Sequence, residues 1–511
     1  MDQKLIDIFK ETTDTIEELT VKFNKVQWNF ITNATSENYN QLILILKELV
    51  NYYTYNQNIP MLIKESRKKN SDFSEVEKSI VNKMRDIKAD NEREDDVTDK
   101  LVKTEKGLMR DIINTRVQYN SKDCTTNHLA DLLQRRTSLQ RIKILQKNYF
   151  YKPVKQFKKP VHKLISVRNE YARAKGYDNY YTFFTKGKGL NTRKVKRIIN
   201  KADKSTLTEY KKIKKDLDSQ LVKKFNSRSK ITPSYIYGDP FFRYYPLHMD
   251  ESVNVMFKGK DIAYAVKRFY SMLGINMDSI YEFSDLYIRP GKYQNPVIID
   301  MDRNGDVRFS ANSKSNFRGI YSLIRTVSCV FFTMNMSSRI PFILKELPPR
   351  GIVEAFTMFM TKYALTEGYI AKIIAQYDEE YEEILENITK YYNLNQYIHI
   401  RFHLAKAEFE MKLYKFPDAD PDKLWEESVE KYQLIDPRSM LRSDSWIMLD
   451  SLIFDPFESI FELDGFNIEP EFEKIREKHN LKGEEMADFF IEELMQYGYK
   501  ANMKYLKNLS K

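Results

Sequence analysis

The 511-residue sequence contains few of the residues that interrupt helices. It has 15 glycines and 16 prolines, about half the share of a typical soluble protein. A β-sandwich or a barrel needs many short strands joined by turns, so this scarcity argues against both. The sequence therefore predicts a mostly α fold, built from long helices with few connections.

Cysteine and long apolar segments are scarce as well. Cys124 and Cys329 are the only two cysteines, which excludes a disulfide framework and a cysteine-rich zinc site. No run of 18 or more apolar residues occurs, so we expect no membrane insertion. The first residues lack the apolar core of a secretory signal, and we expect a cytoplasmic protein.

What is present in quantity is apolar and basic residues. Hydrophobic residues make up 42% of the chain, enough to form a substantial core. The formal net charge is +11, and lysines alternate with aromatic residues between positions 149 and 163. Such a pattern can bind phosphates and stack on bases. Lysine-rich helix faces are equally typical of AT-rich genomes, so a nucleic-acid partner is a minor hypothesis that stays open.

One segment, residues 296–312, is typical of a β-hairpin. Two runs with apolar residues flank an Asn304-Gly305 turn signal. The aspartates before this turn also resemble the first half of a calcium-binding loop. Ala311 stands where such a loop carries its glutamate, so the hairpin interpretation is favoured.

Several segments resemble, in the same order, the zinc oligopeptidases related to angiotensin-converting enzyme and oligoendopeptidase F. They extend over about 300 residues and comprise Val167–Arg173 (VRNEYAR), Gly176–Tyr181 (GYDNYY), Tyr237–Phe242 (YGDPFF), Asp300–Arg308 (DMDRNGDVR), Leu424–Trp425 (LW) and Glu430–Gln433 (EKYQ). The resemblance implies a large helical, two-lobed gluzincin fold with a deep channel between the lobes and one small β-hairpin. It also implies a lid-like helical subdomain over residues 1–150 and a degenerate zinc-peptidase-like domain over residues 151–511.

The zinc-binding motif of that family is missing from this chain. In the family, a helix after the hairpin bears His-Glu-x-x-His, and a later glutamate completes the metal site. The corresponding positions here are Arg325 for the first His, Thr326 for the catalytic Glu and Cys329 for the second His. The third ligand corresponds to Glu354.

These replacements remove the chemistry of the family. A guanidinium has five donors and no acceptor, so Arg325 cannot bind a metal ion. Thr326 cannot serve as a general base near neutral pH. Acidic Asp455 and Glu458 stand in the segment where the family has oxyanion-stabilising groups, and they would repel a developing negative charge. We expect no bound zinc, no other cofactor and no catalysis.

The helix around Arg325 has a polar stripe of small and charged residues. Arg318, Ser322, Arg325 and Cys329 follow one another at spacings of four, three and four residues. This is expected for a face that lines a cleft, although a face open to bulk water stays an alternative. We expect Arg325 to replace the metal ion electrostatically and to pair with Glu354, because a carboxylate that loses its zinc in a partly dry cleft needs a cation.

The leading hypothesis is a pseudopeptidase that binds a peptide or protein partner. The strand carrying Val307, Phe309, Ala311 and Asn312 is the candidate edge for pairing with an extended peptide. The alternative is a residual hydrolase with a non-standard site, either Cys329 or a metal ion on another set of ligands. The partner and the oligomeric state stay open.

One other pair of residues has a spacing that zinc accepts. His399 and His403 lie four positions apart on one predicted helix. No glutamate follows His399, and basic Arg401 lies between the two. We interpret the pair as two surface or cleft histidines that share this spacing by coincidence, and keep it as a weak alternative metal site.

Overall fold

Helices make up about 73% of the structure, and the strands form two small antiparallel sheets of two strands each. The structure is a computed structural model, and it describes residues 3–91, 95–134, 138–227, 232–246 and 251–510. The predicted mostly α fold is therefore confirmed. Within these ranges, no helix is both long enough and apolar enough to cross a lipid bilayer.

The helices follow one another with short turns between most of them. Their bounds are α1 Gln3–Thr32, α2 Ser36–Tyr55, α3 Asn58–Ser66, α4 Glu75–Asn91, α5 Asp95–Asn114, α6 Thr126–Gln134, α7 Leu139–Ala174, α8 Tyr180–Gly187, α9 Thr192–Lys224, α10 Glu251–Phe257, α11 Ile262–Ser271, α12 Asp278–Phe283, α13 Phe317–Met334, α14 Arg350–Thr366, α15 Tyr369–Ile374, α16 Asp378–Lys415, α17 Pro421–Gln433, α18 Ser451–Phe454, α19 Glu458–Lys478, α20 Gly483–Glu493 and α21 Met503–Ser510.

The hairpin expected between residues 296 and 312 is present. Strand β3 (Val297–Asp300) pairs antiparallel with strand β4 (Val307–Ser310). Their connection is longer than a two-residue Asn-Gly turn, and Asp302 Oδ1 accepts the backbone N–H groups of Asn304 and Asp306. The aspartate that resembles a calcium ligand therefore holds the turn itself.

A second hairpin was not expected from the sequence. Strands β1 (Val117–Tyr119) and β2 (Lys122–Cys124) pair antiparallel. Asn120 and Ser121 connect them with φ values of 49° and 61°, the left-handed conformation that two-residue hairpin turns require. Strands of three residues are too short to show an alternating pattern, so they left no clear signal.

Four helices form the centre of the structure around the candidate site. α14 packs against α13 on one side and against α19 on another, and α16 packs against both α14 and α19. Almost every residue of α14 is buried, as expected for a helix that is apolar on most of its surface. Because α14 is enclosed by α13, α16 and α19, its few polar side chains lie against these helices.

The crossing of α14 and α19 depends on a glycine. A Cβ atom added at Gly465 on α19 would lie 2.6 Å from Glu354 Cβ and 3.0 Å from the backbone nitrogen of Ala355. Both obstacles belong to α14, and neither is the end of a flexible side chain. Gly465 thus lets the two helices approach closely at the position of Glu354.

We expect Gly465→Ala to destabilise the protein by about 1–3 kcal/mol, the usual cost of overpacking a well-filled core. The higher helix propensity of alanine offsets only about 1 kcal/mol of that cost. Urea unfolding measures the difference. Gly187→Ala on α8 is the matched control, since no atom lies within 4 Å of a Cβ built there. Equal stability of the two variants would contradict the close approach.

Candidate functional site

A cavity of about 450 Å³ lies between α13, α14, α16, the start of α19 and the β3 strand. Its wall includes the degenerate zinc-site positions together with histidines and further charged groups. The residues that line the cavity include Arg243, Ile298, Ser322, Arg325, Thr326, Cys329, Arg350, Glu354, His399, His403, Asp450, Glu458 and Glu462. The polar stripe of α13 that contains Ser322, Arg325 and Cys329 therefore lines a cleft, as the sequence predicts.

Arg325 binds two carboxylates at once. Its Nη2 atom donates to Glu354 Oε2 at 2.7 Å, and its Nη1 atom donates to Glu462 Oε2 at 2.9 Å. All three side chains are largely buried, with 13–16% of their surface exposed. The predicted pair of Arg325 with Glu354 is therefore present, with Glu462 as a second partner.

The pKa values of the two carboxylates are shifted in opposite directions. Burial and the neighbouring charge of Glu462 raise the pKa of Glu354 above its ordinary value. For Glu462, burial acts in the same direction, but Arg325 outweighs it and holds the pKa below the ordinary value. Burial also opposes the charge on Arg325, yet Glu462 and Glu354 hold the pKa of the guanidinium well above its usual range. The cluster thus keeps a fixed positive charge in the cavity wall.

A second arginine extends this cluster towards the solvent. Arg350 Nε donates to Glu354 Oε1 at 3.2 Å, and Arg350 Nη2 donates to Asp455 Oδ2 at 2.6 Å. Arg350 precedes Glu354 by four positions on α14. Side chains four positions apart are neighbours on a helix, so the sequence alone could have predicted this ion pair. Asp455 thus neutralises an arginine in the segment where the family places oxyanion donors.

Sequence reasoning missed Glu462. It is 137 positions from Arg325, and only the packing of α19 against α14 and α16 brings it into the site. Glu462 follows Glu458 by four positions, so both carboxylates lie on one face of the helix. This spacing was the feature of the sequence that could have indicated Glu462 as a residue of the site. Glu458 itself bonds to the buried ammonium group of Lys406 at 3.1 Å.

Thr326 and Cys329 offer no reactive group. The Thr326 hydroxyl donates to the backbone carbonyl of Ser322 at 2.8 Å, so it is engaged within α13. Burial, assisted by the charge of Glu354, raises the pKa of the Cys329 thiol to about 12. Cys329 is therefore a protonated thiol near neutral pH, and only a thiolate is a strong nucleophile.

The two histidines of α16 face each other inside the same cavity. His399 Nε2 lies 3.2 Å from His403 Nε2, and both side chains are more than 90% buried. They are therefore cleft residues, not surface residues, and Arg401 points elsewhere, donating to Asp203 and to the Tyr432 carbonyl. Burial lowers the pKa of His399 to about 4 and also lowers that of His403, so both imidazoles are neutral near pH 7.

Glu462 joins the two histidines as a third group with metal-binding atoms. One nitrogen from His399, one from His403 and one oxygen from Glu462 all lie within 4.8 Å of one another. No other such group of three occurs among the residues that the structure describes. Arg325, Thr326, Cys329 and Glu354, in contrast, do not combine into a set of metal ligands.

The outer edge of β4 is already paired within the chain. The Phe309 N–H donates to Ser284 Oγ at 3.0 Å, and the Phe309 carbonyl accepts the N–H of Asp285 at 2.9 Å. The Ala311 N–H in turn donates to the Asp285 carbonyl. Val307 and Ala311 are buried, and the Asn312 amide bonds to the Gln294 carbonyl. The edge expected to capture a peptide therefore has no free backbone groups at Phe309.

The free edge of the hairpin belongs to β3. Because the backbone of Phe309 points away from β3, its partner Ile298 must direct its own N–H and C=O away from β4. No hydrogen bond to these two groups is found within the described part of the chain. Ile298 is half-buried and lines the cavity, together with Pro296 and Asn295.

Comparison with known proteins adds nothing to this geometry. No protein-family model matches the chain, and no curated protein does. The relationship to zinc oligopeptidases therefore stays a resemblance of sequence segments.

We expect Cys329 to resist alkylation in the native protein at pH 8. A thiol pKa of about 12, in place of 9.0, leaves roughly a thousandfold less thiolate. A Cys124→Ser variant isolates this thiol, and its reaction with iodoacetamide is followed by mass spectrometry in native buffer and in urea. A native rate within tenfold of the unfolded rate would revive Cys329 as a nucleophile.

Proposed function

We propose that the chain is a catalytically inactive pseudopeptidase that holds an extended peptide, or the tail of a partner protein, in the cavity beside Arg325. The observation that carries the proposal is the unpaired backbone of Ile298 at the edge of this cavity. A free N–H and C=O on a strand edge are the groups through which an added strand binds. The resemblance to oligopeptidases favours the same mode, because the family channel takes extended peptides along its hairpin.

The charges around Ile298 favour a polar peptide. Arg350 is 35% exposed and lines the same cavity as Ile298, Asp450 and Glu458. A peptide with side chains of both signs can form further contacts with these groups, whereas a purely apolar peptide would only displace water from them, which costs free energy. Backbone pairing would supply affinity, and the charged wall would supply selectivity.

The absence of catalysis follows from the groups at the degenerate zinc positions. Arg325 carries its charge where the family binds a cation, and Glu354 and Glu462 neutralise that charge. Thr326 has no proton affinity that would let it activate water. The competing hypothesis of a cysteine hydrolase is disfavoured by the raised pKa of Cys329.

As part of the same proposal, the protein acts in the cytoplasm. Both cysteines are free thiols, and neither is fully exposed. Free thiols are typical of proteins in reducing compartments. If cells are lysed under denaturing conditions in the presence of an alkylating reagent, the proposal predicts that both Cys124 and Cys329 are labelled as reduced thiols.

The proposal predicts that the full chain retains peptides without cleaving them. The purified protein is incubated with random-sequence octapeptides and separated by gel filtration, and the retained peptides are identified by mass spectrometry. We expect intact octapeptides in the protein fraction. Cleavage products would support the hydrolase alternative, and a protein fraction without peptides would contradict peptide binding.

Ile298→Pro tests whether the β3 edge is the docking edge. Proline removes the N–H that points away from β4, and it is tolerated on an edge because that N–H makes no bond to β4. We expect at least a tenfold loss of retained peptide. Ile298→Val keeps the N–H and is the matched control, and circular dichroism checks that both variants fold. Equal retention by both would place the peptide elsewhere.

A further inference from the structure

His399, His403 and Glu462 approach one another from two helices. A spacing of four on α16 puts the two imidazoles on one helix face, one turn apart. The first turns of α19 bring Glu462 to the same point, with the three ligand atoms within 4.8 Å of one another. Two imidazoles and one carboxylate are the ligand set of several catalytic and structural zinc sites.

The distance between the imidazoles suits a bound ion. Zinc–nitrogen bonds of about 2.0–2.1 Å in a tetrahedral site place two ligand nitrogens about 3.3 Å apart. His399 Nε2 and His403 Nε2 are 3.2 Å apart and share a hydrogen bond. A bound ion would replace the proton of that hydrogen bond, and the two nitrogens would keep almost the same separation. Glu462 needs a movement of about 1.5 Å at most, which side-chain torsions supply.

Neighbouring groups hold two of the ligands in suitable orientations. Ser459 Oγ lies 2.9 Å from His403 Nδ1, which leaves Nε2 directed at His399. Arg325 donates to Oε2 of Glu462, and no hydrogen bond from the described residues occupies Oε1. Partners of this kind fix the ring and carboxylate orientation of metal ligands.

The charge balance of the wall is compatible with a cation. Arg325 opposes one, but Glu354 and Glu462 both bind that guanidinium and reduce its field at the histidines. Two further carboxylates of the cavity wall, Asp450 and Glu458, are half-buried, and the partial loss of surrounding water raises the pKa of each. Carboxylates in such surroundings gain stability from an additional positive charge.

We propose that His399, His403 and Glu462 bind a transition-metal dication, Zn²⁺ foremost, with the remaining coordination position open to the cavity. The imidazole nitrogens favour Zn²⁺, Co²⁺, Ni²⁺ and Cu²⁺ over Mg²⁺ and Ca²⁺, which prefer oxygen ligands. This site differs from the degenerate one, since it uses none of Arg325, Thr326 and Cys329. It is also independent of peptide capture.

The test is zinc titration of the full-length protein after treatment with a chelator, followed by calorimetry. We expect one Zn²⁺ per chain. Ser459→Ala removes the hydrogen-bond partner of a ligand, and it should weaken the affinity for Zn²⁺ by about 10–100-fold. His399→Gln and Glu462→Gln each remove a ligand, and each should weaken that affinity by a larger factor. His128→Gln is the matched control, because His128 is exposed, and its affinity should not change.

Two results would overturn the proposal. One is the absence of stoichiometric Zn²⁺ binding by the wild-type protein. The other is equal affinity in the His399→Gln, Glu462→Gln and His128→Gln variants, which would assign the ion to surface groups.

X-ray absorption of the zinc-loaded wild type provides a readout that does not depend on the folding of a variant. We expect scattering from two imidazoles and an oxygen ligand at about 2.0–2.1 Å. A spectrum without imidazole ligands would overturn the site. Peptide retention by the chelator-treated protein separates this proposal from the proposed function, because failure of either one leaves the other unaffected.

Discussion

The buried charge of Arg325 organises the side chains of the candidate site. A guanidinium with only 13% of its surface exposed needs carboxylate partners, and Glu354 on α14 and Glu462 on α19 supply them. These contacts tie α13, α14 and α19 together from inside the cavity. Forming these ion pairs removes water from the charged groups, and that cost offsets much of their attraction. Their main effect is therefore to fix the orientation of the two carboxylates and the position of the guanidinium. The fixed positive charge of Arg325 repels a cation brought to the same point of the cavity wall.

The packing around this cluster explains why the carboxylates reach it. Gly465 lets α19 approach α14 next to Glu354, and the same close approach carries Glu462 to Arg325 and to the histidines of α16. Glu462 therefore connects the two parts of the cavity wall, since its carboxylate accepts from Arg325 and also has an oxygen within 4.8 Å of the ring nitrogens of His399 and His403. The crossing of α14 and α19 thus positions the carboxylates around the Arg325 guanidinium. The same crossing positions Glu462 at the place where a metal ion would bind.

Local signals in the sequence were sufficient for much of this arrangement. The three- and four-residue spacings of Ser322, Arg325 and Cys329 identified the face of α13 that lines the cavity, and Asn304-Gly305 marked the hairpin. Glu354 was found through the resemblance. Contacts between distant segments were not predictable: periodicity says nothing about which helix packs where, so Glu462 was missed. The sequence also predicted that the β4 edge binds a peptide. In the structure Asp285 pairs with Phe309 at that edge, and this contact depends on the fold and could not be predicted from local patterns.

The most direct measurement of the central claim is a mutant cycle on the free energy of unfolding, with Arg325→Met, the pair Glu354→Gln and Glu462→Gln, and all three changes combined. Arg325→Met alone should cost about 3–5 kcal/mol, because it leaves two buried carboxylates without a cation. Adding the two glutamines should recover at least about 1.5 kcal/mol of that loss, because it removes the uncompensated charges. Effects that add to within about 0.5 kcal/mol would show that Arg325 does not hold these carboxylates, and the account would fail.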